Sequence, residues 1–194
     1  MGDLVDAFAA IDAANEADPR LLDGKPLARV QGELASGWLS KLDPQAPDEL
    51  QVAVRAHHLR RWELQRADYP AGRAGYLKWR RDNKAHQADA LAAILEAGDW
   101  DSASIERTRV LLQRTKPRSD PDTQTLEDAA CLVFLETQFE TMGDETERDH
   151  LVSIVSKTLN KMSMPAIALA TSIELSPGAG AVLRDAVDDG KPNE

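Results

Sequence analysis

Cysteine is almost absent from this sequence, and its scarcity excludes two kinds of stabilised protein. Cys131 is the only cysteine among 194 residues, so neither an intramolecular disulfide nor a zinc site built from several cysteines can form. A chain of this length buries enough apolar surface to fold without such cross-links. The scarcity also fits a reducing compartment, and we expect a cytoplasmic protein.

Long apolar runs and strand patterns are missing as well. No stretch approaches the roughly 20 apolar residues that a membrane-spanning helix needs, so no membrane partner is expected. Asp3 and Asp6 stand where a secretory signal peptide would carry positive charge, which argues against secretion. No long segment alternates apolar and polar residues as a half-buried strand does. These absences favour an all-α protein.

Positive charge is scarce overall but is concentrated in one segment. The formal net charge is −10, which argues against general binding of nucleic acid. Residues 55–84 nevertheless hold nine lysines or arginines and three acids, so they carry +6 and the remainder carries −16. Both tyrosines and two of the four tryptophans lie in the same segment. A small anionic or phosphorylated molecule is the partner that this segment predicts.

Apolar residues recur at helical spacing along nearly the whole chain, and prolines and glycines separate the periodic segments. We predict helices over about 3–15, 26–42, 47–62, 73–97, 101–115, 122–142, 145–162, 165–173 and 179–187. The fold expected is a single-domain, all-α bundle of about eight helices over residues 1–187. Residues 188–194 are expected to form a disordered tail. The oligomeric state is left open.

Three polar residues are predicted to point inward with the apolar stripes of three different helices. His58 follows Val54 at four-residue spacing, and His86 and Asp128 lie among apolar residues of later helices. A buried carboxylate is costly unless it is paired, hydrogen-bonded or bound to a metal. His58, His86 and Asp128 are therefore candidate ligands of a divalent metal. The alternative is structural, with satisfied core histidines and an aspartate that pairs with arginine or caps a backbone. His57 receives no role.

The arginines of the basic segment also allow two interpretations. Guanidinium groups suit the bidentate capture of phosphate or carboxylate, but a run of charge is more often a solvated helix face. Arg61 and Arg73 flank the predicted loop over 64–72. The candidate substrate-binding residues are Arg61, Trp62, Arg73, Tyr76 and Arg80. Glu63 is a candidate base, metal ligand or arginine partner.

Several motifs together resemble a known family. They are Ile11-Asp12 with Asn15 and Asp18-Pro19, His58 with Arg61-Trp62-Glu63, Tyr69-Pro70 with Arg73, Gly75-Tyr76-Leu77, Trp79-Arg80, His86, the stretch 123–136, Lys157-Thr158 and Lys161-Met162-Ser163. On these residues the chain resembles the family catalogued as domain of unknown function 4202. The likeness covers nearly the whole chain, and it leaves the activity open.

The order of the elements also resembles a divergent metal-dependent phosphohydrolase of the His-Asp type. That resemblance implies a helical fold in which His58 corresponds to the doublet histidine, His86 to a later histidine and Asp128 to the last aspartate. The sequence departs from the pattern at two positions. Leu59 replaces the doublet aspartate, and the second helix offers Gln31 or Glu33 in place of the first histidine.

Three hypotheses of function follow. In the first, His58, His86 and Asp128 hold a divalent metal that activates water to hydrolyse a small phosphorylated or anionic substrate clamped by Arg61, Arg73 and Arg80. In the second, no metal is bound, and His58 is a general base oriented by Asp128. The third is a non-catalytic module that binds a protein, a nucleotide or an RNA end, the last two by stacking on Trp62 or Trp79.

Overall fold

Nine α-helices account for most of the residues that this computed structural model describes, which are 2–114, 119–139 and 148–189. The helices are α1 Leu4–Asn15, α2 Leu27–Leu42, α3 Asp48–Arg55, α4 Gly72–Ala97, α5 Ser102–Gln113, α6 Pro121–Thr137, α7 Arg148–Leu159, α8 Met164–Ala170 and α9 Pro177–Asp189. Two short 3₁₀ helices, Arg61–Glu63 and Arg66–Asp68, lie between α3 and α4. The only described strands, β1 Leu21–Leu22 and β2 Lys25–Pro26, form a small antiparallel hairpin. The predicted all-α class is confirmed.

Side-chain caps set the starts of several helices where the sequence predicts them. Asp3 Oδ1 accepts hydrogen bonds from the backbone N–H groups of Val5 (2.7 Å) and Asp6 (3.1 Å) at the start of α1. Asp101 caps α5 through the N–H groups of Ala103 and Ser104. Such caps satisfy N–H groups that the first turn of a helix leaves unpaired.

The third helix is much shorter than predicted, because α3 ends at Arg55 instead of continuing to about residue 62. The chain then turns, and Arg60 adopts a left-handed conformation with φ of 52°. The buried side chain of Asn15, at the end of α1, accepts a hydrogen bond from the Arg60 N–H (3.2 Å). This long-range contact holds the turn. The four-residue spacing through His58 therefore does not describe one helical face.

The chain forms two compact units, residues 1–126 and 127–194, here called unit 1 and unit 2. The single domain over residues 1–187 stays a prediction. The boundary falls inside α6, so no proline- or glycine-rich linker marks it in the sequence. Unit 1 packs α1 to α5 together, and unit 2 packs α7 against α9.

A salt bridge and a glycine bring three helices of unit 1 close together. Arg55 of α3 binds both carboxylate oxygens of Asp12 on α1, at 2.8 Å from Nε and 2.6 Å from the terminal nitrogen. At Gly32 of α2, an added Cβ would lie 2.7 Å from the Arg55 carbonyl oxygen. Only glycine permits this approach of α2 to α3. These contacts place the end of α3 beside α1 and α2.

Three predicted helix boundaries and most of the predicted tail lie outside the described residues. Residues 115–118 include the predicted end of the fifth helix, residues 140–147 include the predicted end of the sixth and start of the seventh, and residues 190–194 include most of the tail. The last described helix, α9, continues to Asp189, whereas the predicted helix ends at residue 187. No helix of the described ranges combines the length and the hydropathy that a membrane span requires.

Candidate functional site

The turn that follows α3 places two adjacent histidines in very different surroundings. His57 and His58 stack with ring centroids 4.1 Å apart and planes 29° apart. His57 is 3% exposed and His58 is half-buried. His58 was predicted to point inward with an apolar stripe but is only half-buried, whereas His57, which received no role, is buried. The cause is the early end of α3, which breaks the helical spacing.

Hydrogen bonds set the chemical state of both imidazole rings. His57 Nδ1 lies 3.0 Å from the Val54 carbonyl oxygen, and His58 Nδ1 lies 2.6 Å from Oε1 of the buried Gln31. Because carbonyl and amide oxygens are acceptors, these bonds assign the proton of each neutral ring to Nδ1. The lone pair of His58 is then on Nε2, which has no hydrogen-bond partner among the described residues.

Burial keeps both histidines neutral. It is the largest cause that lowers the pKa of His57 to about 3, and Arg114 and Arg61 add electrostatic repulsion. Burial also lowers the pKa of His58 well below its ordinary value, with smaller contributions from His57 and from Arg61, Arg114 and Arg20. A neutral imidazole with an open nitrogen can accept a proton or bind a metal.

Arg20, Arg61 and Arg114 act electrostatically on this histidine pair, and Arg80 acts on Arg61. We call these four arginines of unit 1 the arginine site. Burial, followed by repulsion from Arg20 and Arg114 and a smaller contribution from Arg80, lowers the pKa of Arg61 to about 10. Within the described residues the Arg61 guanidinium forms no hydrogen bond or ion pair. Its recorded contact is with the Trp79 ring, whose centroid lies 4.8 Å away. Arg61 is therefore a desolvated cation that has no anionic partner in the described part of the chain.

The remaining members of the arginine site are held by neighbouring groups. Arg20 binds both oxygens of the buried Asp18, from Nε at 2.9 Å and from a terminal nitrogen at 2.8 Å. Arg114 ends α5 in a left-handed conformation with φ of 54°. Arg80 lies over the Tyr76 ring at 5.7 Å. Neither Arg20 nor Arg114 was a candidate in the sequence, because both lie outside residues 55–84.

His86 and Glu63 form a separate pair at the edge of unit 1. His86 Nε2 lies 2.8 Å from Glu63 Oε2, while Glu63 Oε1 accepts a 2.7 Å hydrogen bond from Arg60. Both side chains of the pair are about 30% exposed. The buried face of α4 instead carries Asn83 and Gln87, so the inward orientation predicted for His86 was wrong. Glu63 therefore pairs with Arg60 rather than with Arg61 or Arg73, the two arginines proposed as its partners, and its roles as base or metal ligand stay predictions.

Asp128 is buried as predicted, and its recorded contacts lie in unit 2. Its two carboxylate oxygens accept hydrogen bonds from the backbone N–H of Ser163 (2.8 Å) and from the Ser163 hydroxyl (2.5 Å). Ser163 caps α8. This is the capping role that the structural alternative allowed, and it ties α6 to the start of α8.

The predicted metal ligands are divided between the two units, with His58 and His86 in unit 1 and Asp128 in unit 2. His58 bonds to Gln31, His86 to Glu63 and Asp128 to Ser163. Across residues 2–114, 119–139 and 148–189, no group of three or more His, Cys, Asp or Glu side chains is arranged to hold a metal ion. The described side chains therefore do not support the hypothesis of a metal-dependent hydrolase, and the bound metal stays a prediction.

The other predicted binding residues lie in different settings. Trp62 is half-buried, Tyr76 is exposed and Arg73 is exposed. Arg73 forms no hydrogen bond or ion pair within the described part of the chain. Trp79 is anchored by a hydrogen bond from Nε1 to the Leu64 carbonyl oxygen (2.9 Å) and contacts Tyr76, with ring centroids 5.9 Å apart.

Comparison with known proteins identifies the family. The family model described as Domain of unknown function (DUF4202) matches residues 5–183. The chain belongs to the DUF4202 family. No curated protein and no solved structure matches this DUF4202 chain. The likeness to His-Asp phosphohydrolases therefore stays a prediction.

Proposed function

We propose that this DUF4202 protein binds a small phosphorylated molecule at the arginine site and hydrolyses its phosphate ester, with His58 as general base. The observation that supports this proposal is the Arg61 guanidinium, which is largely desolvated, lies among other arginines and has no anionic partner among the described residues. Keeping the desolvated Arg61 cation beside other arginines is costly unless an anion compensates it. A phosphate group supplies that charge and accepts bidentate hydrogen bonds from guanidinium groups.

The charge of the whole chain favours a small ligand. The arginine site lies in a protein whose net charge is −10, so the surrounding surface repels extended polyanions. A single phosphate group needs contact only with the local cations. The proposed ligand is accordingly a small phosphate ester rather than a nucleic acid.

His58 has the state that a general base requires. Its Nδ1 is occupied by Gln31, which leaves the Nε2 lone pair to remove a proton from water. The hydroxide oxygen forms a new bond to phosphorus, and the ester P–O bond breaks with its electron pair going to the leaving oxygen. The leaving oxygen then takes the proton from the imidazolium, so the products are an alcohol and inorganic phosphate. This differs from the predicted arrangement, in which Asp128 oriented His58.

The arginine site also connects ligand binding to the basicity of His58. Arginine repulsion is one cause of its low pKa, and a bound phosphate dianion cancels that repulsion. The pKa of His58 should therefore rise towards the working pH when the ligand binds, and a base is most effective there.

Phosphate binding is tested first by NMR titration of the wild-type protein and two arginine variants with inorganic phosphate. Shifts should centre on Arg61 and His58, and Arg61→Gln should weaken binding at least tenfold. Arg81→Gln is the matched control, because Arg81 is a 75% exposed cation in the same segment. Equal weakening by both substitutions, or shifts confined to other parts of the chain, would contradict a specific site.

Catalysis is tested with an aryl phosphate whose hydrolysis releases a coloured phenol. His58→Gln should abolish turnover and preserve phosphate binding, because the variant keeps the arginines and loses the base. Turnover that requires added zinc, manganese, iron or nickel, with a stoichiometric metal found by elemental analysis, would replace this mechanism with the metal-dependent one. Absence of turnover with intact binding would reduce the function to binding alone.

A further inference from the structure

The most exposed aromatic ring of the chain lies beside the arginine site. Tyr76 is 43% exposed, and every other phenylalanine, tyrosine and tryptophan in the described residues is half-buried or buried. Tyr76 contacts Trp79, and Trp79 also contacts the Arg61 guanidinium. Tyr76 also acts electrostatically on Arg61. The exposed ring of Tyr76 is therefore linked through one residue, Trp79, to Arg61, which is proposed to bind the phosphate.

The two rings form a supported surface rather than a loose pair. Both project from α4, at positions three residues apart that share a helical face. The indole of Trp79 is fixed by its hydrogen bond to the Leu64 carbonyl oxygen, and Arg80 lies over Tyr76. An aromatic surface next to a cluster of guanidinium groups provides a stacking face and an anion site at once.

We propose that the ligand of the arginine site is a phosphate ester whose organic part carries an aromatic ring, and that this ring stacks on Tyr76. The inference rests on the proposed phosphate binding and adds the class of organic group. A sugar or glycerol phosphate has no planar aromatic ring to stack on Tyr76, so it would not use this surface in the same way. A nucleobase and a simple aryl group share the required chemistry, and the experiment separates them.

The experiment compares five ligands by competition NMR: inorganic phosphate, ribose 5-phosphate, glycerol phosphate, adenosine monophosphate and phenyl phosphate. Stacking on one aromatic side chain typically strengthens binding by about tenfold or more. Adenosine monophosphate should therefore bind about tenfold more tightly than ribose 5-phosphate, which has the same sugar and phosphate. If phenyl phosphate also exceeds glycerol phosphate, any aryl group suffices; if it does not, the site selects a nucleobase.

Three variants of α4 assign the effect to Tyr76. Tyr76→Ala should remove the advantage of adenosine monophosphate, measured within that variant as the ratio of its affinity to the affinity for ribose 5-phosphate. Tyr76→Phe should retain it, because the ring is preserved. Leu77→Ala is the matched control, since Leu77 is a neighbouring apolar side chain that is 50% exposed. An advantage that survives Tyr76→Ala, or that Leu77→Ala removes equally, overturns the assignment.

The failure of this inference can be told apart from the failure of the proposed function. If adenosine monophosphate and ribose 5-phosphate bind equally well and Arg61→Gln weakens both, phosphate binding stands and the aromatic class is wrong. If none of the five ligands shifts Arg61 or His58, the arginine site does not bind phosphate and both proposals fall.

Discussion

At the scale of single residues, burial lowers the pKa of His57 and His58, and hydrogen bonds fix the tautomer of each imidazole. His57 is enclosed and neutral, and its pKa is lowered to about 3 mainly by burial. His58 is neutral for the same main reason, yet its half-buried ring keeps Nε2 without a partner in the described residues. His57 is therefore a core residue, whereas His58 has a ring nitrogen that can accept a proton from a ligand or from water.

The buried histidine makes stability depend on pH. The pKa of His57 is about 3 in the folded protein and about 6.5 when unfolded. Below pH 6.5 the unfolded chain therefore takes up a proton that the folded chain excludes, and stability falls as the pH drops from about 7 towards 3. The melting temperature measured from pH 7 to pH 5 should decrease more steeply in the wild type than in His57→Gln. His150→Gln, at an exposed position, should leave the slope unchanged. An equal slope in all three proteins would contradict this role.

Gln31 should determine the tautomer of His58. Its Oε1 lies 2.6 Å from His58 Nδ1, so wild-type protein should show an Nδ1-protonated ring in long-range ¹⁵N NMR spectra. Replacing the acceptor in Gln31→Leu should yield a mixture of tautomers, because no amide oxygen then selects Nδ1. The His57 signals serve as an internal control, since that ring bonds to the Val54 carbonyl. An Nε2-protonated His58 in the wild type would contradict the assignment.

At the scale of helices, the packing of α1 on α3 depends on one ion pair. Arg55 and Asp12 are 12% and 21% exposed and meet through two hydrogen bonds. Removing one partner of a buried pair leaves an uncompensated charge and costs about 3 kcal/mol. Arg55→Met should lower the free energy of unfolding in urea by about that amount.

The control for this pair is an exposed one. Arg148 and Asp185 are 55% and 51% exposed, and such pairs contribute about 0–1 kcal/mol. Arg148→Met should therefore change the free energy of unfolding by less than about 1 kcal/mol. Similar losses in Arg55→Met and Arg148→Met would show that the Arg55 pair is no more important than a surface contact.

Asp128 joins α6 to the start of α8 through its hydrogen bonds to Ser163, and this structural role needs no metal. Asp128→Asn weakens two charge-assisted hydrogen bonds to Ser163 and should destabilise the protein by about 2 kcal/mol. The measurement is thermal unfolding with and without a strong chelator. A double-mutant cycle with Ser163→Ala should show strong coupling. A loss of stability on chelation in the wild type, absent from Asp128→Asn, would instead support a metal at Asp128.

At the scale of the whole molecule, the separation of charge should govern which anions bind. The segment 55–84 carries +6 against −16 elsewhere, so a small phosphate ester should bind while a short duplex DNA should not. Fluorescence anisotropy of a labelled duplex at about 0.15 M salt tests the second part. The affinity for the phosphate ester should decrease as salt is raised, because part of the arginine site is exposed. Tight duplex binding would contradict the proposed ligand size.

The helical class and much of the helix pattern could be predicted because they depend on local information. The 3.6-residue apolar period, the caps at Asp3 and Asp101, and the prolines that separate segments all act within a few residues. The basic aromatic segment is likewise visible in composition. Asp128 could be predicted as buried because α6 is regular around it. Arg61 could be predicted as a candidate binding residue because it lies in the basic segment 55–84.

The composition of the site depended on contacts between residues far apart in the sequence. Asn15 accepts a hydrogen bond from the turn that follows α3, and the helix does not continue through His58. As a result His57 rather than His58 is the buried ring. Arg20 and Arg114 join Arg61 only after the hairpin and α5 have packed. Ser163 hydrogen-bonds to Asp128, and Gln31 hydrogen-bonds to His58. Periodicity specifies which face of a regular helix points inward, but only the folded chain specifies what that face meets.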